Sequence, residues 1–259
     1  IEVQGLSKSV EGKVIFTDLT FHLGGGDCLA LLGANGSGKT LLLRILATLE
    51  KPTTGTVTIA GHDVFANLRT VRPLIGYVPE VFGGYPHLSI SEYLDFFAGA
   101  YKLEKTRRTT TIQDVLNLMD IAPLSNRKIE SLSQGEKQRL CLAKTFLHDP
   151  QLWLLDEPLS GLDVRGQIEM SVLTQELATM GKTIVLATNR PADAAPICNH
   201  VAILAEGGLA FYDDTAEIGM NLEALFLEAT THDRTDEGSE KLDTPTEDAA
   251  LHQDTGNAK

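Results

Sequence analysis

The sequence predicts an α/β fold: a core with a parallel sheet, an antiparallel β subdomain at its start and an inserted α-helical subdomain. Three patterns carry that prediction. Short apolar runs alternate with helix-length periodic segments, as in "CLALLG" before "TLLLRILATLE", the signature of βα units. The opening stretch shows two half-alternating segments in succession instead. From about residue 86 to 150 the period becomes helical and stays so.

Taken in order, "IEVQGLSKS" and "KVIFTDLTFHL" alternate as half-buried antiparallel strands do. "CLALLG" is a buried strand, followed by a glycine-rich loop and a helix over "TLLLRILATLE". A turn at Pro52-Thr53-Thr54-Gly55 leads to the strand "TVTIAG". Helices are expected over "SISEYLDFFAGAYKL", "TIQDVLNLMDIA" and "GEKQRLCLAKTFLH". Strands return at "QLWLLDE", "TIVLAT" and "VAILAEG", with a helix at about 164–180 between the first two. No internal repeat is present.

With 259 residues and 42% apolar content, the chain can bury a sizeable core. No apolar run approaches eighteen residues, so no membrane span is expected, and the opening residues lack the plan of a secretory signal. The net charge of −13 argues against nucleic acid as a partner. Residues 231–259 hold eight acids against three bases and few large apolar groups, which predicts a disordered acidic tail after a domain spanning 1–230. Cys28, Cys141 and Cys198 sit in apolar runs at spacings that match no metal or redox motif; buried, reduced thiols are expected.

Between a predicted strand and a predicted helix stands "GANGSGKT": Gly33, Ala34, Asn35, Gly36, Ser37, Gly38, Lys39 and Thr40. It fits G-x-x-x-x-G-K-[ST], whose glycines let backbone N–H groups approach phosphate oxygens. Lys39 would neutralise the β/γ charge, and Thr40 would offer a hydroxyl to Mg²⁺. The core is therefore expected to be that of a P-loop NTPase. Further on, "LWLLDEP" ends an apolar strand in Asp156 and Glu157, a costly arrangement unless the acids meet a cation or donors. Asp156 is then the Mg²⁺ acid, and Glu157 is placed to polarise the attacking water. "SLSQGEKQRLCLA" contains the capping box Ser133 to Glu136, starting a helix with Leu140, Ala143 and Leu147 toward a core.

Taken together, "GANGSGKT", "SLSQGE", "LLDEP" and "SGLD" resemble, in this order, the ATP-binding cassette of ABC transporters over about residues 1–230. That resemblance implies ATP and Mg²⁺ as ligands and a head-to-tail dimer with a second cassette, identical or not. Each ATP would lie between one subunit's P-loop and the partner's Ser133 and Gly135, with Asp163 crossing the interface. "IGYVPE" would be the loop joining core and helical subdomain, with Glu80 as a Mg²⁺-side acid where many members carry Gln. The outer face of residues 86–103 would dock a membrane permease. "LSISEYLDFFAGAYKL" and "NLEALFLEAT" resemble export-type members with a separately encoded permease, which places the chain peripherally at the cytoplasmic face of the cell membrane.

Three departures from the family pattern stand out. The usually aromatic base-stacking position is Val10, with Phe16 as a displaced substitute. Glu136 replaces the usual Gln and would bring a negative charge close to the triphosphate. Asn189, at the end of "TIVLATN", occupies the place of the family's switch histidine; His200 does not replace it. An amide can donate one hydrogen bond but carries no charge and shuttles no proton. The expectation is a weakened but working ATPase of an exporter, slow in isolation. A nucleotide-gated, hydrolysis-poor regulatory subunit is the alternative, and a cassette protein acting on DNA or ribosomes a third reading.

Overall fold

The computed structural model describes residues 1–214 and 222–231. β1 (Glu2–Val10) and β2 (Lys13–His22) form the opening hairpin. Glu11 and Gly12 turn it at φ 50° and 82°, both left-handed, as a tight hairpin twisted like its strands requires. After β3 (Cys28–Gly33) and α1 (Lys39–Leu46), the chain returns through β4 (Thr54–Ile59) and the short β5 (His62–Asp63). Together they make an antiparallel sheet of order β2-β1-β4-β5.

β2 does not alternate strictly. Asp18 adopts φ 53°, and the pairing with β1 slips between Leu6↔Leu19 and Lys8↔Phe16. This bulge turns Phe16 onto the same face as Leu19 and Phe21. Phe16 is 0% exposed, so the expectation that it could hold a nucleotide base is corrected: the ring belongs to the core.

The short α2 (Leu68–Val71) precedes β6 (Ile75–Val78). β6 is a correction too, since "IGYVPE" was expected as a connecting loop. Its first four residues pair in parallel with β7 (Leu152–Asp156) as the edge strand, and only the remainder leads away to the helices. Between β6 and β7 lie α3 (Ile90–Ala100), α4 (Lys105–Leu118) and α5 (Gln134–Phe146). α3 and α5 both start on complete capping boxes, Ser89–Glu92 and Ser133–Glu136. Then follow α6 (Val164–Thr179), β8 (Thr183–Thr188), α7 (Pro191–Ala194), β9 (His200–Ala205), β10 (Gly208–Asp214) and α8 (Leu222–Thr231). The expected acidic tail lies outside the described residues beyond Thr231.

The six-stranded core sheet runs β10-β9-β3-β8-β7-β6, parallel from β9 to β6 and antiparallel at β10. Its strands are apolar on both faces, as expected for a sheet covered on both sides. The two-residue period sorts them cleanly. Ala30, Leu32, Trp153, Leu155, Ile184 and Leu186 face the layer of α3–α6. Leu29, Leu31, Leu154, Val185 and Ala187 face α1 and the antiparallel sheet. Cys28 and Cys198 are buried as expected, yet 170 positions apart in sequence their sulfurs lie 3.1 Å from one another. No described helix is long and apolar enough to cross a membrane.

Candidate functional site

Strand order builds the site. β8 lies between β3 and β7, in register so that Leu32 pairs with Thr188 and Asp156 with Ala187. All three strands therefore end at one edge, bringing together the loop after Gly33, the acids Asp156–Glu157 and Asn189. This is where parallel sheets place their ligands. A cavity of about 1010 Å³ opens there, lined by Asn35, Lys39, Thr40, Glu80, Glu157 and Asn189 among others.

The loop has little room for side chains. A Cβ on Gly33 would lie 2.4 Å from Ser37 Oγ, and one on Gly38 would lie 2.9 Å from Phe16 Cδ1. Gly38 also takes φ 101°, starting α1 with no side-chain cap and no acid in the first turn. The first N–H groups of α1 are thus left for an anion. Ser37 Oγ is buried and finds no partner among the described residues. Lys39 is buried, donates to Gly33 O (2.8 Å) and Ala34 O (3.1 Å), and lies 3.8 Å from a Glu157 carboxylate oxygen. Burial lowers the pKa of its ammonium, against the pull of Glu157, Asp156 and Glu80.

Asp156, 1% exposed, accepts from Thr40 Oγ1 (3.1 Å) and from Tyr77 OH (3.2 Å). Burial raises its pKa above the usual carboxylate range, with Thr40 and Tyr77 opposing and exposed Glu80 adding to the rise. Glu157 is raised for the same leading reason; Lys39, Thr188 and the Asn189 backbone oppose. Its backbone sits at φ 44° while its N–H donates to Ala187 O, 2.9 Å away, so the turn out of β7 aims the carboxylate into the cavity.

Asn189 Nδ2 donates to Asn35 Oδ1 at 2.9 Å, tying the end of β8 to the glycine loop. Val10, 42% exposed at the hairpin end, lines the same cavity. Several lining or supporting residues were not singled out in the sequence. Tyr77 orients Asp156; Ser160, Arg190 and Asp193 line the cavity. The period-2 position of Tyr77 in β6 is a signal that could have revealed it, had β6 been recognised.

Ser133, Gly135 and Asp163 are elsewhere. They line a second cavity of about 860 Å³, which shares only Gly161 with the first. Ser133 caps α5, accepting from Glu136 N, and Asp163 caps α6, accepting from Gly166 N at 2.8 Å. Glu136 accepts from Ser133 N (2.7 Å) and pairs with Arg127 (3.3 Å), so its charge is already met by a donor and a cation.

The hydroxyl of Thr40 and the carboxylate of Asp156 suit a hard cation. Mg²⁺ typically takes one or two carboxylates and completes its shell with water and phosphate oxygens. Among the described residues no cluster of three or more His, Cys, Asp or Glu is placed to hold a metal. When bound, Mg²⁺ would neutralise charge on the β- and γ-phosphates.

A parallel sheet presenting this loop, this lysine and these acids at one edge defines a P-loop NTPase. A family profile described as ABC transporter matches residues 16–160. The Nod factor export ATP-binding protein I of Rhizobium johnstonii is 31% identical over 207 residues, 80% of this chain and 67% of that protein. The uncharacterized ABC transporter ATP-binding protein YxlF of Bacillus subtilis (strain 168) is 32% identical over 218 residues, 84% and 72% of the two chains. A solved ATP-binding subunit of an ABC transporter superposes with TM-score 0.79 at 27% identity, over 88% of this chain and 98% of that one. The dimeric post-hydrolysis state of the cassette MJ0796, bound to ADP and Pi, shares the fold at TM-score 0.75 and 23% identity, over 82% and 97%. The chain belongs to the ABC transporter family, as its ATP-binding and ATP-hydrolysing cassette.

Proposed function

We propose that this cassette powers export through a separately encoded membrane permease, bound peripherally at the cytoplasmic face. The reading takes residues 1–230 as one ATPase domain with its helical part at about 86–150. Two cassettes, identical or not, would close head to tail on Mg²⁺-ATP. Lys39 and the loop Gly33–Thr40 would hold the phosphates, and Thr40 and Asp156, with Glu80 nearby, would serve Mg²⁺. Glu157 would polarise water, with Asn189 donating toward the γ-phosphate.

One observation carries this proposal. Ser133, Gly135 and Asp163 line a cavity apart from the P-loop cavity, so within one chain the two sets cannot share a nucleotide. A second cassette can bring them together. The relatives named as export ATP-binding proteins, and the presence of Lys39, Asp156 and Glu157, favour hydrolysis over a nucleotide-gated subunit. For permease docking, support comes from Tyr85 and Phe96, two half-exposed rings whose centroids lie 5.3 Å apart at a 59° tilt. The test is phosphate release from Mg²⁺-ATP as a function of protein concentration. Turnover per chain should rise with concentration as dimers form; absence of phosphate release, with or without membrane partners, would refute the proposal.

A further inference from the structure

Four cationic side chains line the P-loop cavity: Lys8, Lys39, Arg44 and Arg190. Their surroundings differ. Lys39 is bound to two loop carbonyls and to Glu157. Lys8 and Arg44 both pair with Glu50, at 3.6 and 3.3 Å, and Lys8 also donates to Lys51 O. Arg190 lines the cavity next to Asn189. It follows Asn189, whose amide reaches Asn35 of the loop and whose backbone hydrogen-bonds the Glu157 carboxylate. Its guanidinium is 55% exposed and pairs with Asp193 at 3.4 Å. Asp193 is held mainly by packing: its side chain is only 10% exposed, and its carboxylate lies 3.5 Å from the Thr188 hydroxyl, at the limit of a hydrogen bond. Arg190 N–H donates to that same hydroxyl at 3.1 Å. A largely buried carboxylate thus holds a solvent-facing guanidinium in the lining of the cavity that Glu157 shares.

We propose that Arg190, positioned by Asp193, is the cation that meets the transferred phosphoryl group of ATP, supplying a charge that an asparagine at 189 cannot. The proposal rests on the reading of this cavity as the ATP-hydrolysing site. Phosphoryl transfer spreads negative charge over three equatorial oxygens, and a guanidinium matches two of them at once. The 3.4 Å pair with Asp193 is long beside the 2.7–2.9 Å of a full charged hydrogen bond, so exchanging that partner for a phosphoryl oxygen gives up little. Asp193 touches no reacting atom in this scheme; it is a positioning residue.

The test uses the purified full chain with Arg190→Ala, Arg190→Lys and Asp193→Asn. Steady-state Mg²⁺-ATP turnover is measured beside calorimetric binding of ATP, of Mg²⁺-ADP, and of Mg²⁺-ADP with orthovanadate as the phosphoryl mimic. Arg190→Ala should lower kcat about 10²-fold with ATP affinity nearly unchanged, because the contact is made in the transition state. The extra affinity that vanadate confers should fall by a similar factor. Arg190→Lys should recover part of the loss, and added guanidinium ion should raise turnover of Arg190→Ala but not of the parent. Asp193→Asn should lower kcat less than Arg190→Ala does. Unchanged turnover and unchanged vanadate enhancement in a folded Arg190→Ala protein would overturn the proposal, as would equal losses with and without vanadate. A parent chain that releases no phosphate would overturn the ATPase reading instead, and the vanadate comparison would still decide the role of Arg190.

Discussion

Replacing Asn189 with histidine tests the switch position directly, because the two side chains share their first two atoms beyond Cα. Imidazole Nδ1 falls about where the Asn189 amide nitrogen now sits, 2.9 Å from Asn35 Oδ1, so the tie to the glycine loop can persist. Nε2 then projects roughly 2 Å further into the cavity. The groups around it are Glu157, Lys39, Glu80, Arg190 and Asp193, all lining the same cavity. A neutral hydrogen bond contributes about 0.5–1.5 kcal/mol and one from a charged donor about 1.5–3, so the protonated ring should gain about 1–1.5 kcal/mol. That corresponds to roughly tenfold in kcat, with little change in ATP affinity if the contact forms mainly in the transition state. Imidazolium forms below about pH 6.5, so the gain should grow as pH falls from 8 to 6. The assay is steady-state phosphate release, taken as the ratio of variant to parent at each pH so that titration of Glu157 cancels. A folded Asn189→His protein with a ratio of one throughout would refute the switch assignment. On that outcome Asn189 would only close the turn before Pro191.

Further predictions follow from the same geometry. Lys39→Ala should abolish ATP binding in calorimetry, since the ammonium is the cation folded over the loop carbonyls; unchanged affinity would contradict its phosphate role. Val10→Tyr should tighten ATP binding about two- to twelvefold by adding a ring worth about 0.5–1.5 kcal/mol. In the parent, ATP and GTP affinities should lie within about tenfold of each other, because Val10 offers no stacking face and Phe16 is buried. Asp156→Asn should raise the thermal midpoint of the nucleotide-free protein at neutral pH. Burial raises the folded pKa of Asp156, so the folded chain holds its proton more tightly than the unfolded one. Stability is therefore lost as pH rises from the unfolded value near 3.9 through the raised folded value, and the advantage of Asn should vanish at lower pH. A variant less stable than the parent at pH 7 would contradict the burial argument.

The sequence made the nucleotide site legible where a few adjacent residues carry both a conformation and a chemistry. The loop Gly33–Thr40, the acids closing β7 and the capping box at Ser133 are of that kind, each readable without knowing what packs on it. Phe16 was not readable, because the bulge at Asp18 inverts the alternation that assigns strand faces. β6 was missed because four residues at a sheet edge leave too short a pattern. The Cys28–Cys198 contact and the Arg190–Asp193–Thr188 cluster depend on strand order and on a four-residue helical turn. No local spacing encodes the first; the second lies within six residues, its i,i+3 pair on a helical turn too short to show a period. Glu136 belongs to the cap that the sequence shows, while the cation beside it, Arg127, was not read from the sequence.

On the proposed function, the cavity lined by Lys39 and the cavity lined by Ser133 are halves of one ATP site completed by a second cassette. Light scattering after size exclusion on the Glu157→Gln protein tests it most directly, since blocked hydrolysis should hold ATP in the closed state. With Mg²⁺-ATP the mass should double from the 28.0 kDa of one chain, with Mg²⁺-ADP it should not, and adding Ser133→Arg should return it to one chain. A mass that stays at one chain in saturating Mg²⁺-ATP, or a dimer indifferent to both nucleotide and Ser133→Arg, would contradict the account.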